Sequence, residues 1–323
     1  LNGPLFIALI WLLLQFVIFT HFQKRAGPWA GWLALGLTLS VGSYFRVIGG
    51  IVDFRLDAPG GMLYGMSLIY LIESERLKQK TPTNLFIFST LAAILTRSNT
   101  ILLLGPALLL YAMFLILKRE FVLGRIWKNL WPSTRFVAAG VLVGAIAMAS
   151  RFYRYYLAYY FTGDPNSPAI IASMNQVMQV SPEQGWNYRL YPVKIFLLNH
   201  LGFVFFAACI LSFAGLVLSW ALRHRSQSSA PQSISASGNQ QCDDLLLGFL
   251  YFAIPISLYT LSVSRNPVVA TTLVVPAVVL VGSCLVRLNG LMTRRSSAPS
   301  LGLLAATGVL VLSIAIVHVF VHF

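Results

Sequence analysis

The chain has 323 residues, of which 57% are hydrophobic and only 10% charged, and its mean hydropathy is +0.76. Soluble domains carry about 25% charged residues, so this composition is built for lipid rather than water. The net charge of +14 is accounted for by cations in short loops between apolar runs, where anionic headgroups are the natural counter-charge. No nucleic acid is expected as a partner.

A membrane helix needs about 20 predominantly apolar residues. On that scale the chain reads as an all-α, polytopic transmembrane helical bundle of about ten spans. They are residues 4–22, 29–47, 58–73, 84–97, 99–117, 136–150, 199–222, 245–263, 267–286 and 301–321. The spans follow one another so closely that 1–323 reads as one membrane-embedded module. Its parts are a core over 1–150, an outer-face loop region over 151–198 and C-terminal helices over 199–323. Within the last part, residues 223–244 are rich in Ser, Gln, Ala and Gly and read as a flexible cytoplasmic linker.

Alternate loops differ in charge. One set holds Lys24, Arg25, Arg76, Lys78, Lys80, Lys118, Arg119, Arg125, Lys128, Arg135, Arg223, Arg225, Arg287, Arg294 and Arg295, which is 15 of the 23 Lys and Arg residues. The positive-inside rule makes that set cytoplasmic. Leu1 then starts on the outer face. With no initiator Met and no charged leader, the chain is expected to be truncated, lacking at least one inside-to-outside helix and an outer loop.

The outer face carries the candidate chemistry. In Gly49-Gly50-Ile51-Val52-Asp53-Phe54-Arg55-Leu56-Asp57, two carboxylates flank an arginine between apolar spans, a default site candidate. The glycine pair before it and Pro59-Gly60-Gly61 after it predict a turn that restarts as a helix at Asp57. Asp53 and Asp57 can serve as a base or hold a divalent ion against a phosphate, and Arg55 can pair with a phosphate. The plainer alternative has Asp57 capping the helix and Arg55 anchoring at headgroups. Arg97 lies in the tight hairpin Thr96-Arg97-Ser98-Asn99-Thr100, where a guanidinium beside hydroxyls suits a lipid phosphate; ordinary snorkelling is the alternative. Segment 151–198 combines Tyr155, Trp186 and Arg189 with Asn, Asp and Glu. It offers flat apolar faces and planar hydrogen-bonding groups for sugar recognition, or else an aromatic belt. The five His residues are spread too widely for a metal cluster, and His21 reads as interfacial at the cytoplasmic side. Cys209, Cys242 and Cys284 show no disulfide or metal spacing.

These motifs resemble the polytopic glycosyltransferases of the C superfamily, in particular the group of dolichyl-phosphate-mannose mannosyltransferases and lipid A aminoarabinose transferases. The resemblance rests on Asp53-Phe54-Arg55-Leu56-Asp57-Ala58-Pro59 leading into Leu63-Tyr64-Gly65, and on Ala92-Ala93-Ile94-Leu95-Thr96-Arg97 followed by Leu104-Gly105-Pro106. It covers residues 1–150 best. One departure is that residues 1–52 contain no Asp or Glu, although the family places its principal catalytic Asp in the first outer loop. The resemblance implies an integral protein of a bacterial inner membrane with its active face periplasmic. It would move a sugar, by inversion, from a polyprenyl-phosphate donor to a lipid or cell-envelope glycan acceptor. Asp53 and Asp57 are then the catalytic candidates, Arg55 and Arg97 the phosphate ligands, and Tyr155, Trp186 and Arg189 the substrate-binding residues. A divalent metal is compatible with this chemistry but has no assigned ligands. A transporter or lipid flippase, and a non-catalytic membrane assembly factor, are the competing readings.

Overall fold

A computed structural model describes residues 3–41, 57–97, 100–117, 182–195, 236–261 and 271–293. Among the described residues every regular element is helical and no strand occurs. The α-helices are α1 (Gly3–Ala26), α2 (Pro28–Leu39), α3 (Asp57–Glu73), α4 (Lys80–Thr96), α5 (Thr100–Leu117), α6 (Trp186–Ile195), α7 (Ala236–Leu261) and α8 (Val274–Thr293). A short 3₁₀ turn, Pro182–Gln184, precedes α6.

The local sequence explains the joints. α1 is a predominantly apolar run, interrupted by Gln15, that ends on Lys24 and Arg25, cations placed favourably at a helix C-terminus. Gly27 then adopts φ 91, a left-handed geometry that disfavours a side chain, and its N–H bonds to Gln23 O at 2.9 Å. Pro28 opens α2, where its missing N–H would have had no helical partner. The joint between α3 and α4 is organised by Ser74. Its carbonyl accepts the N–H groups of Lys78 (2.8 Å) and Gln79 (3.0 Å), and its Oγ accepts that of Leu77 (3.1 Å). Between α4 and α5 the chain turns at Arg97, whose N–H bonds to Ala93 O and whose carbonyl receives the Thr100 N–H.

α3 is the centre of the bundle, packing on α1, α4, α7 and α8. It is buried along most of its length, from Ala58 through Ile72. Its small residues admit close neighbours: a Cβ on Gly61 would lie 3.2 Å from the Thr271 backbone, and one on Gly65 would overlap the Val275 side chain. Small residues at these positions let the helix backbones approach closely. α1 by contrast buries Leu14, Ile18 and Phe22 while presenting Leu5, Phe6, Leu9, Leu12, Leu13 and Phe16 outward. A helix apolar on both faces belongs in lipid or in a large core.

One buried hydrogen bond resolves a backbone conflict. Pro255 lies inside α7 and has no N–H for the carbonyl of Tyr251, four residues earlier. The Tyr64 hydroxyl of α3 donates to that carbonyl at 2.9 Å, and the two tyrosine rings lie 5.0 Å apart.

Two helices are long and apolar enough to cross a membrane, over Leu5–Ala26 and Thr100–Leu117, and Leu245–Leu261 and Thr271–Val286 are shorter apolar stretches. The expected spans 136–150, 199–222 and 301–321 lie outside the described residues. Two boundaries differ from expectation. α2 ends at Leu39, with Ser40 N–H still bonded to Gly36 O and Val41 N–H shifting to Thr38 O, and residues 42–47 of the expected span lie outside the described residues. Residues 236–244, expected in the linker, form the first turns of α7. Hydropathy marks where a helix is apolar, not where its polar extension begins.

The contacts also fix the ends. Gly61 meets Thr271 and Thr272, and Gly65 meets Val275, so α8 runs parallel to α3. The starts of α3 and α8 and the Arg97 turn therefore share one end of the bundle. The ends of α1 and α3 share the other.

Candidate functional site

The end defined by Asp57 and Arg97 is built from the beginnings of helices. Asp57 is the first residue of α3, and Ala58, Pro59, Gly60, Gly61 and Met62 behind it are all buried. Pro59 is tolerated there because the first turn has N–H groups without intrahelical acceptors. Arg97 leaves α4 with extended backbone, φ −144 and ψ 101. Its side chain lies across the first turn of α3. A Cβ on Gly60 would sit 3.1 Å from Arg97 Cβ and 3.6 Å from its Cδ, with Thr96 Cγ2 at 3.9 Å. The aliphatic part of Arg97 thus rests on the residue three positions after Asp57. On the neighbouring side of α3, Gly61 rests on Thr271 and Thr272, both buried in the 3₁₀ turn that leads into α8. Thr100, buried at the start of α5, is tied to Arg97 by its N–H.

The electrostatics follow from this arrangement. A helix N-terminus carries roughly half a positive charge, and its leading N–H groups are unsatisfied donors. The starts of α3 and α5 add this to the Arg97 guanidinium, an arrangement suited to a phosphate. Asp57 opens α3, a position at which a carboxylate suits the helix dipole and can in principle take a proton.

Of the residues expected from sequence, Asp57 and Arg97 are brought to one end within a turn of helix, although 40 positions separate them. Asp53, Arg55 and Tyr155 lie outside the described residues. Trp186 and Arg189 meet each other on α6, with the guanidinium carbon 5.9 Å from the indole centroid and Trp186 73% exposed. That helix packs on α7, and its Tyr188 is buried. Partial burial raises the Tyr191 phenol above its ordinary pKa, so it remains a neutral hydroxyl.

Sequence reading missed a second polar cluster at the opposite end. His21, expected to be interfacial, is buried, and its Nδ1 lies 3.2 Å from Glu73 Oε1. Lys24 Nζ is 3.7 Å from Glu73 Oε2. The signal was weak, because a His and a Glu 52 residues apart, each at a span end, look like separate interfacial groups. Among the described residues no group of three or more His, Cys, Asp or Glu side chains is placed to hold a metal ion. Comparison with protein-family models, with curated proteins and with solved structures gave no match.

Proposed function

We propose that the chain is a membrane glycosyltransferase that takes a sugar from a polyprenyl-phosphate donor and passes it to an outer-face lipid or cell-envelope glycan. The observation that supports this reading is the packing of the Arg97 stem on Gly60, which brings Arg97 to the first turn of α3, the turn that Asp57 opens. In this scheme the donor phosphate lies against Arg97 and the N-termini of α3 and α5. A carboxylate, Asp53 or Asp57, takes the proton of the acceptor hydroxyl. The hydroxyl oxygen attacks the anomeric carbon, the bond from that carbon to the phosphate oxygen breaks, and its electron pair leaves with the polyprenyl phosphate. The cationic end stabilises the charge that develops there. Arg55 is the second phosphate candidate; Tyr155, Trp186 and Arg189 are candidates for holding the sugar or the acceptor. The Asp57 end is periplasmic and the Lys24 end cytoplasmic in a bacterial inner membrane, following the asymmetry of Lys and Arg.

The test is chemical. The purified chain in proteoliposomes is given a polyprenyl-phosphate sugar, and free polyprenyl phosphate is measured by mass spectrometry with and without a lipid acceptor. The proposal expects acceptor-dependent cleavage. Movement of the intact donor between leaflets without cleavage would replace it with a flippase.

A further inference from the structure

The end of the bundle opposite the candidate site gathers cations that are distant in sequence. Lys24 and Arg25 close α1, while Arg76, Lys78 and Lys80 occupy the turn into α4. The contacts of Glu73 with His21 and Lys24 pin the end of α1 to the end of α3 and so bring the two basic groups together. α8 reaches the same end, since Gly282 packs on Phe22, which places Arg287 on the helix beyond that level.

Charge at this end is unbalanced. Glu73 and Glu75 are the acidic residues of these segments. Glu73 is engaged by His21 and Lys24, and Gln79 Nε2 donates to Glu75 Oε2 at 3.4 Å. The Lys24 side chain is 69% exposed, so its 3.7 Å contact leaves much of the ammonium facing outward. Lys78 and Lys80 are exposed as well. The turn that carries them is a built structure: Glu75, Arg76 and Leu77 take φ 48, 64 and 65, held by the Ser74 hydrogen bonds.

Exposed aromatic surface stands about two turns away on both flanking helices. Phe16 on α1 is 65% exposed, and Phe88 on α4 is 67% exposed. Each is eight residues from its cation, Lys24 or Lys80, or roughly 12 Å along a helix. A row of ammonium groups with aromatic surface at that depth matches a phospholipid, whose phosphate sits at the interface above its acyl chains.

We infer that this end holds the headgroup of an anionic phospholipid between Lys24 on α1 and the Arg76–Lys80 turn. The site is independent of the transfer reaction, because it lies at the other end of the bundle and uses none of the same residues. One cation near an anionic surface contributes about five-fold in affinity, so removing three should abolish most of the preference.

Native mass spectrometry of the full chain, released from micelles containing equal phosphatidylglycerol and phosphatidylcholine, tests this. The wild type is expected to retain phosphatidylglycerol over phosphatidylcholine by roughly ten-fold or more, and Lys24→Gln/Lys78→Gln/Lys80→Gln to lose most of that preference. If the triple variant does not fold, Lys78→Gln/Lys80→Gln at exposed positions carries the same comparison with a smaller loss. Equal retention of both lipids by the wild type, or an unchanged preference in the variants, would overturn the inference. So would displacement of phosphatidylglycerol by millimolar inorganic phosphate, which would mark a site for a soluble anion.

Discussion

Arg97 lies along Gly60 so closely that a methyl group on the glycine would stand 3.1 Å from Arg97 Cβ. Gly60→Ala therefore separates stability from function. Alanine gains about 0.5–1 kcal/mol in a helix through reduced backbone freedom, and the Arg97 stem gives way by a few tenths of an ångström. Unfolding temperature should stay near that of the wild type. Sugar transfer should fall about ten-fold or more, because a displaced guanidinium no longer meets the phosphate squarely. Thermal unfolding and transfer rate, measured on the same preparation, check both halves.

The Tyr64–Tyr251 hydrogen bond gives a prediction about the fold alone. Tyr64→Phe removes the donor for a buried carbonyl that Pro255 cannot serve, and is expected to cost about 1–3 kcal/mol. Pro255→Ala restores an N–H at the helical position. In the Pro255→Ala background, Tyr64→Phe should cost much less. Unfolding of the four proteins of this double-mutant cycle in micelles measures the coupling, and strict additivity would show that the tyrosine hydroxyl is not compensating for the proline.

At the opposite end, Glu73→Ala strands a fully buried His21 ring nitrogen and is expected to destabilise by about 1–3 kcal/mol. Lys24→Gln should cost less than about 1 kcal/mol, because Lys24 is largely exposed and its contact is long. Glu73→Gln keeps an acceptor for His21 and should fall nearer the milder variant. Equal losses from Glu73→Ala and Lys24→Gln would mean that the solvent-facing contact matters as much as the buried one.

These cases show what the sequence made legible. The apolar runs at 4–22, 58–73, 84–97 and 99–117 each contain a helix, because lipid-like composition and length are local properties, and Gly27-Pro28 marks its joint by backbone chemistry alone. The restart of the helix at Asp57 was also readable, from Pro59-Gly60-Gly61. Partnerships across the bundle were not. Nothing near Gly65 announces Val275, and nothing near Pro255 announces Tyr64, since these depend on which helix faces enclose α3. The common location of Asp57 and Arg97 was reachable because alternation of spans puts both at the same end. The Gly60 contact that joins them was not.

The two carboxylates of the first motif should differ. Asp57 begins α3, where Asn serves a helix start nearly as well as Asp, so Asp57→Asn should fold normally and lose transfer only mildly. Asp53→Asn is expected to lose on the order of 10²–10⁴-fold, the usual effect of removing a general base, because an amide cannot accept the acceptor's proton. Transfer rates normalised to folded protein distinguish the two. The reverse order would move the base to Asp57.

In the proposed transfer reaction, Arg97 is the cation that meets the donor phosphate. The direct measurement is sugar release from a polyprenyl-phosphate donor in proteoliposomes by Arg97→Gln, beside Arg97→Lys and the wild type. Removing a group that stabilises developing charge typically costs about 10²–10³-fold. Arg97→Gln should show a loss of that size in release normalised to folded protein, and Arg97→Lys should recover part of it through its charge. Near-normal release by Arg97→Gln would contradict the account and leave Arg97 as an anchor at the membrane surface.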